Sequence, residues 1–149
     1  MKTEKKGFTL IELLVVIAII GLLSTLSIIA LNSARARARD AKRISDVRQI
    51  QLALEMYYTE NNDYPASIAP GSSIGPTGAP YLRSYPTPPS PADGTCTTTQ
   101  NQTYVYTKQA VAEGSGGIGT SSYTVTFCLG AQVNEVAAGA RVMTPAGIY

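Results

Sequence analysis

The chain is 149 residues long, enough for one domain, and carries a formal net charge of +2. It has no histidine, which excludes imidazole-based catalytic triads and imidazole metal sites, and no serine–base arrangement stands out. The small net charge gives no indication of a nucleic-acid partner. We therefore expect a protein that is not an enzyme, has no catalytic residues and binds no cofactor.

The N-terminal part of the chain has the pattern of a membrane-spanning helix. Lys5 and Lys6 precede an apolar segment, and from Leu13 to Leu31 there are 19 residues without a charge. As a helix these residues rise about 28 Å, close to the roughly 30 Å hydrocarbon core of a bilayer. Glu12 lies at the start of this segment, where a carboxylate is costly unless it is paired or protonated. The span itself offers no cation, so we predict that Glu12 has a partner from outside the chain.

The segment Gly7-Phe8-Thr9-Leu10-Ile11-Glu12, followed by the apolar run, resembles the prepilin signal of type IV pilins and type II secretion pseudopilins. In that family a dedicated peptidase cuts after the glycine, here Gly7, and N-methylates the new first residue, here Phe8. Glu12 would then be the fifth residue of the mature chain and would pair with the terminal amine of a neighbouring subunit, which gives it a role in subunit assembly.

The resemblance also implies how the chain is divided. Residues 1–7 would form a leader peptide, residues 8–31 a transmembrane and filament-core helix, and residues 32–149 a pilin-like head domain that includes the upper half of the helix. The family usually has a proline where this chain has Ile29, whereas Gly21 matches its mid-span glycine. Whether the span breaks near Gly21 therefore stays open.

Two other interpretations of the N-terminus remain. An ordinary secretory signal peptide would be cut near Ala34-Arg35-Ala36, although Glu12 interrupts its apolar region. A plain single-pass anchor without a role in assembly leaves Glu12 unexplained.

A basic segment at 32–50, which we call the neck, follows the apolar run. It carries six cations against two carboxylates, a net charge of +4, whereas residues 51–149 have a net charge of −3. The arginines alternate along the neck and therefore spread around a helix. This suits lipid headgroups or neighbouring subunits better than DNA, which remains the less favoured partner. The six cations are Arg35, Arg37, Arg39, Lys42, Arg43 and Arg48.

The helix is predicted to continue through the neck to Asn61. No proline or glycine occurs between Leu22 and Tyr64, and the alanines of the neck favour helix. The segment Asn61-Asn62-Asp63-Tyr64-Pro65 is typical of a turn and ends the helix. Apolar residues at spacings of three and four predict a stripe that packs against other elements. The stripe comprises Ile44, Val47, Ile50, Gln51, Leu54, Tyr57 and Tyr58.

The remaining chain has the pattern of a loop followed by strands. Residues 66–94 are rich in proline and glycine, and strands are predicted at 104–108, 123–129 and 140–144. A flexible connection is expected at 113–122. One long helix packed on a small antiparallel sheet gives an α+β, pilin-like fold.

Two cysteines and scattered carboxylates are the remaining candidate site residues. Cys96 and Cys128 lie in the part that the resemblance places outside the cytoplasm, where an even pair indicates a disulfide. Strand alternation points Cys128 away from the helix stripe, so we expect the bond on the outer side of the sheet. Calcium, which the family's major pseudopilin binds, needs six or more oxygen ligands. The loop carboxylates are too scattered to predict a metal site.

The sequence thus predicts a structural subunit of a type IV pilus-like filament, serving adhesion, motility or DNA uptake. The implied partners are other copies of the chain, the prepilin peptidase, an inner-membrane assembly platform with minor pilins, and membrane lipid before assembly. The chain would be a single-pass protein of the cytoplasmic (inner) membrane with its head outside, and part of a surface filament after assembly. Counting lysines and arginines alone would place the neck inside.

Two alternatives to the pilus subunit stay open. The chain could be a pseudopilin of a type II secretion system or of a competence apparatus, or a membrane-tethered binding module that does not polymerise.

Overall fold

The computed structural model describes residues 7–94, 96, 102–109 and 121–149. It has one long helix followed by a four-stranded sheet, in which each strand pairs antiparallel with the next. The α+β fold expected from the sequence is therefore confirmed. The elements are α1 (Leu10–Asn61), β1 (Val105–Gln109), β2 (Ser122–Leu129), β3 (Gly139–Thr144) and β4 (Gly147–Ile148).

The chain divides into two compact units, residues 1–35 and 36–149. In the first unit the helix is continuous through Gly21. The span therefore does not break there, which the sequence had left open. The hydroxyls of Ser24, Thr25 and Ser27 donate to backbone carbonyl oxygens three or four residues earlier, at 2.7 to 2.8 Å. Because these hydroxyls find acceptors within their own helix, they need no water in an apolar environment.

In the second unit the predicted helix stripe packs on the sheet. The middle strand β2 alternates as expected, and Tyr123, Val125 and Phe127 are completely buried. Val125 pairs in register with Met143 of β3, which extends the buried face to the next strand. The buried apolar side chains of α1 in this core are Ile44, Val47, Ile50, Ala53 and Leu54.

Gln51 is where the core departs from the predicted stripe. Its side chain is half-buried, and its amide donates to the carbonyl oxygens of Thr144 at 3.3 Å and Pro145 at 3.4 Å. The polar residue thus joins α1 to the turn between β3 and β4. The short strand β4 was not predicted from the sequence.

The proline-rich loop at 66–94 forms no helix or extended strand, but it contributes to the core. Ile74 and Tyr85 are buried, and Ile74 pairs with Leu82 in an isolated β-bridge. The hydroxyl of Tyr85 donates to the carbonyl oxygen of Tyr104 at 3.1 Å, next to β1. The connection predicted at 113–122 lies, as far as Thr120, outside the described residues.

Asp63 fixes the end of α1 to the sheet. Its carboxylate accepts hydrogen bonds from Lys108 Nζ at 2.6 Å, from the hydroxyl of Ser121 and from the backbone amide of Tyr64 at 2.9 Å. These bonds, with that of Lys108 first, lower the pKa of Asp63 to about 2.

We expect Asp63→Asn to lower the thermal midpoint of the head at pH 7, and this difference to fade toward pH 2. A carboxyl whose pKa is lowered by folding stabilises the fold above its unfolded pKa of about 3.9. That contribution is lost as the pH falls through the folded pKa of about 2. Melting curves by circular dichroism at pH 7, 4 and 2 measure the effect. An equal difference at all three values would show that the carboxylate charge is not involved.

Candidate functional site

The start of α1 holds the residues that the N-terminal motif singled out. Thr9 directly precedes the helix, and Glu12 lies in its first turn. The Oε2 atom of Glu12 accepts hydrogen bonds from the backbone amide of Thr9 at 2.9 Å and from its hydroxyl at 2.7 Å. In return, the backbone amide of Glu12 donates to Thr9 Oγ1 at 3.3 Å. This reciprocal arrangement is a capping box, which satisfies donors that the first helical turn leaves free.

The capping box gives Glu12 a local partner that the sequence analysis missed. The spacing Thr-x-x-Glu is the sequence signature of this box, so the signal was present. Thr9 supplies neutral donors and no positive charge, so the charge of Glu12 has no counter-ion there. Phe8, just before the box, is 81% exposed, and Gly7 is exposed as well. Residues 1–6 of the expected leader lie outside the described residues.

The segment at 8–31, which comprises the first part of α1 and the two residues before it, exposes its apolar side chains. We call this segment the foot. None of the most apolar stretch of this helix is buried inside the protein. Its large apolar side chains range in exposure from 45% for Val16 to 81% for Phe8. A contiguous apolar surface of this extent marks a membrane or protein contact, because burying apolar area is strongly favourable. The helix is long and apolar enough to cross a bilayer.

Half of the cations of the neck are already paired with carboxylates of the second unit. Lys42, for example, pairs with Asp46, which is buried. The expected contacts with lipid or neighbouring subunits therefore fall first to the other three cations. The paired cations are Arg39, Lys42 and Arg43; within the part of the chain that the structure describes, no ion pair includes Arg35, Arg37 or Arg48.

Asp93, at the end of the proline-rich loop, forms ion pairs with two of these arginines. Arg39 binds it with two parallel hydrogen bonds of 2.7 Å each, from Nε and Nη2. Arg43 donates from Nη1 to Asp93 at 3.0 Å and to Asp40 at 2.6 Å, and from Nη2 to the carbonyl oxygen of Pro89 at 3.2 Å. The hydrogen bond from Arg39 is the main cause that holds the pKa of Asp93 below its ordinary value.

Asp40 completes this group from the other side. Its two oxygens accept the backbone amides of Gly130 and Ala131, both at 2.9 Å, where the chain leaves β2. Asp40 is fully buried and Arg43 is 1% exposed, so the charges are compensated within the protein. We call the group formed by Arg39, Asp40, Arg43 and Asp93 the ion-pair cluster. It ties α1 to the loop and to the end of β2.

Removing Arg43 should therefore destabilise the head strongly. Arg43→Ala leaves the buried carboxylate of Asp40 without its cation, and breaking a buried ion pair by removing one partner costs about 3–5 kcal/mol. Arg48→Ala is the control, because an exposed arginine without an ion pair should change stability by less than about 0.5 kcal/mol. Denaturant unfolding of the oxidised chain measures both. Equal small effects for the two variants would mean that the cluster adds little to stability.

Comparison with known proteins adds to the geometry of the helix start. Residues 2–28 match the family model of the prokaryotic N-terminal methylation motif. Type II secretion system core protein G of Aeromonas hydrophila is 38% identical over 86 residues, which are 56% of this chain and 60% of that protein. Type IV wide pilus major component PilA4 of Thermus thermophilus is 43% identical over 75 residues, 50% of this chain and 57% of that protein.

A longer match decides the family. Fimbrial protein EcpC of Eikenella corrodens is 30% identical over 105 residues, which are 70% of this chain and 69% of that protein. The chain belongs to the type IV pilin and pseudopilin family. The resemblance indicated by the N-terminal motif is thereby confirmed, and these relatives are structural proteins rather than enzymes. The chain spans only 54–60% of the length of three core protein G relatives. No solved structure matches it.

In the head of this pilin-family chain, Cys96 and Cys128 are joined by a disulfide, with their Cα atoms 6.1 Å apart. Cys128 alternates with the buried core residues of β2 and therefore lies on the opposite face of the strand. That face is covered at this point, since Cys128 is only 1% exposed. Its Sγ atom lies 3.6 Å from the carbonyl oxygen of Asp93, so the disulfide adjoins the ion-pair cluster.

Several carboxylates of the head are engaged with cations and hydrogen-bond donors. Asp46 accepts from Tyr104 at 3.1 Å as well as from Lys42, and Glu55 accepts from the hydroxyls of Tyr64 and Tyr123. In the part of the pilin-family chain that is described, no group of three cysteine, aspartate or glutamate side chains is arranged to hold a metal ion.

Proposed function

We propose that this chain is the structural subunit of a type IV pilus-like filament. It is made as a prepilin, cut after Gly7, N-methylated at Phe8 and polymerised through residues 8–31. The observation that carries the proposal is the exposed apolar foot with one carboxylate in its first turn, inside a matched methylation motif. Such a foot is stable in a bilayer before assembly and in the apolar interior of a filament afterwards.

In this proposal, the chain is a single-pass protein of the cytoplasmic membrane before assembly, and its head lies outside the cytoplasm. The disulfide of the head supports this orientation, because disulfides persist in oxidising compartments. The positive-inside rule by itself favours the reverse orientation, since the neck carries five basic residues at 35–43. The orientation thus rests on the disulfide and on family membership.

The partners in this proposal are other copies of the chain, the prepilin peptidase, an inner-membrane assembly platform with minor pilins, and membrane lipid. The exposure of Gly7 and Phe8 suits access by the peptidase. Arg35, Arg37 and Arg48, which form no ion pair with the described residues, are available to lipid headgroups or neighbouring subunits. DNA is less favoured, because only three cations of the neck remain without an ion pair in the described chain.

A secretion pseudopilin is the second candidate, favoured by the 38% identity to the core protein G of Aeromonas hydrophila. Both candidates assemble through the same foot and differ in the machine that they serve. Deleting the gene in its native host, followed by electron microscopy of the cell surface and an assay of exported proteins, separates them. Surface filaments that are missing from the deletion strain support the pilus. Lost protein secretion with an unchanged cell surface would support the pseudopilin instead. A deletion strain that shows neither change would support a membrane-tethered module.

A further inference from the structure

The disulfide and the ion-pair cluster share one short stretch of chain. Asp93 binds Arg39 and Arg43, and Cys96, three residues later, is bonded to Cys128 at the end of β2. Three residues span at most about 11 Å, so the bond keeps Asp93 close to the end of this strand. Asp93 therefore has a covalent tether on the side of the loop that follows it.

Two glycines bring the same stretch into direct contact with β2. A Cβ atom on Gly130 would lie 2.4 Å from Cβ of Asp93, so only glycine fits there. Gly94 has φ +80°, and a Cβ on it would lie 3.0 Å from Cα of Gly130. The backbone at 93–94 thus lies directly on the backbone at 129–130. Because Gly130 also donates its amide to Asp40, the end of β2 places both carboxylates that hold Arg43.

We propose that the Cys96–Cys128 disulfide holds Asp93 between Arg39 and Arg43, and that opening the bond releases the loop from α1. Before Asp93, the nearest buried side chain of the loop is Tyr85, eight residues earlier, and between the two the carbonyl oxygen of Pro89 accepts from Arg43 Nη2 at 3.2 Å. When the disulfide is reduced, Asp93 keeps these contacts of the loop but loses its covalent tether. The effective concentration of the Asp93 carboxylate at the two arginines then falls, because a longer free segment samples more positions.

The effect is local, because the disulfide and the core lie on opposite faces of β2. The core side chains Tyr123, Val125 and Phe127 are buried on the face of β2 opposite to Cys128. Arg43 keeps its 2.6 Å contact with Asp40. A reduced chain therefore keeps its helix and sheet but loses the attachment of the loop. This inference goes beyond the proposed function, since it makes the helix–loop contact depend on the oxidation state of the cysteines.

In this proposal, stable attachment of the loop to α1 requires formation of the Cys96–Cys128 bond by a disulfide oxidant outside the cytoplasm. The two cysteine thiols lose two electrons and two protons to the disulfide of that oxidant, which becomes a dithiol, by thiol–disulfide exchange. Reduction in the test is the reverse exchange: dithiothreitol opens the Cys96–Cys128 bond and closes to its own cyclic disulfide.

Measurement of ¹H–¹⁵N NMR relaxation of the full chain in detergent micelles, oxidised and then reduced by dithiothreitol, tests the proposal. We expect reduction to lower the backbone order parameters of Ser90, Ala92, Asp93 and Gly94 from about 0.85 to below about 0.6, and to leave those of β3 at about 0.85, as for local opening. Asp93→Asn in the oxidised chain should lower the same order parameters. Reduction of that variant should lower them little further, because coupled contacts are not additive.

Asp63→Asn is the matched control, since it removes a paired carboxylate at the other end of the head. It should lower the order parameters near residue 63, and the fall in the order parameters at 90–94 on reduction should remain. The proposal is overturned if reduction has the same effect with and without Asp93→Asn. It is equally overturned if reduction opens β2 and β3 together with the loop, because the bond would then stabilise the head as a whole.

Discussion

Filaments should disappear from the cell surface when Glu12 is replaced by glutamine, although the subunit should remain in the membrane. Glutamine keeps the hydrogen bonds of the capping box with Thr9, but it carries no charge. In the proposed filament, the carboxylate compensates the terminal amine of Phe8 in a neighbouring subunit. An amine left without a counter-charge in a dry core is costly in every subunit. Sheared surface material should therefore fall to background while the membrane pool persists.

Thr9→Val is the control for the capping role of Glu12, because it removes the hydroxyl of the box and keeps the charge. The backbone amide of Thr9 still donates to Glu12 in this variant, so we expect filaments at normal or slightly lower yield. Immunoblots of sheared material and of membranes measure both variants. Normal filaments from Glu12→Gln, together with a defect in Thr9→Val, would show that Glu12 acts only as a helix cap.

Replacing Gly7 by leucine should leave the leader attached to every chain. The family's peptidase needs a small residue before the cut, and leucine fills that position. The structure predicts no other consequence, since nothing lies within 4 Å of a Cβ atom placed on Gly7. Mass spectrometry of the membrane pool should therefore show the chain with residues 1–7 still attached and Phe8 unmethylated.

Gly21→Ala provides the matched control for this change. A Cβ atom at Gly21 also meets nothing within 4 Å, and the position lies within the helix, away from the cut. We expect normal cleavage and methylation of this variant. If Gly7→Leu is also cut and methylated correctly, the prepilin assignment of the N-terminal motif is wrong.

The secondary structure follows from patterns that lie close together in the sequence. The helix ends at Asn61, where the Asn-Asn-Asp-Tyr-Pro segment cannot continue it. Alternation in β2 correctly assigned its core-facing residues, because successive side chains of a strand point to opposite faces. It did not predict that Cys128, on the other face, is buried as well. The two-residue strand β4 is too short to produce such a pattern. The capping box of Thr9 and Glu12 has a local signature and was within reach of the sequence.

The ion-pair cluster has no local signature. From the sequence, Arg43 is one of six neck cations expected to contact lipid headgroups or neighbouring subunits. Its burial depends on Asp93, which is 50 residues away in an irregular loop. The same holds for Asp46, whose burial depends on Tyr104, 58 residues away. Contacts of this kind require the tertiary fold, so the sequence overstated the free positive charge of the neck.

Electron cryomicroscopy of the assembly isolated from the native host tests the central claim most directly. We predict a helical polymer whose core is formed by residues 8–31, with no leader density. The Glu12 carboxylate should lie within about 4 Å of the Phe8 amine of a neighbouring subunit, the distance of an ion pair. A chain that remains a monomer in the membrane with its leader attached, or a polymer in which Glu12 faces no amine, would contradict the account.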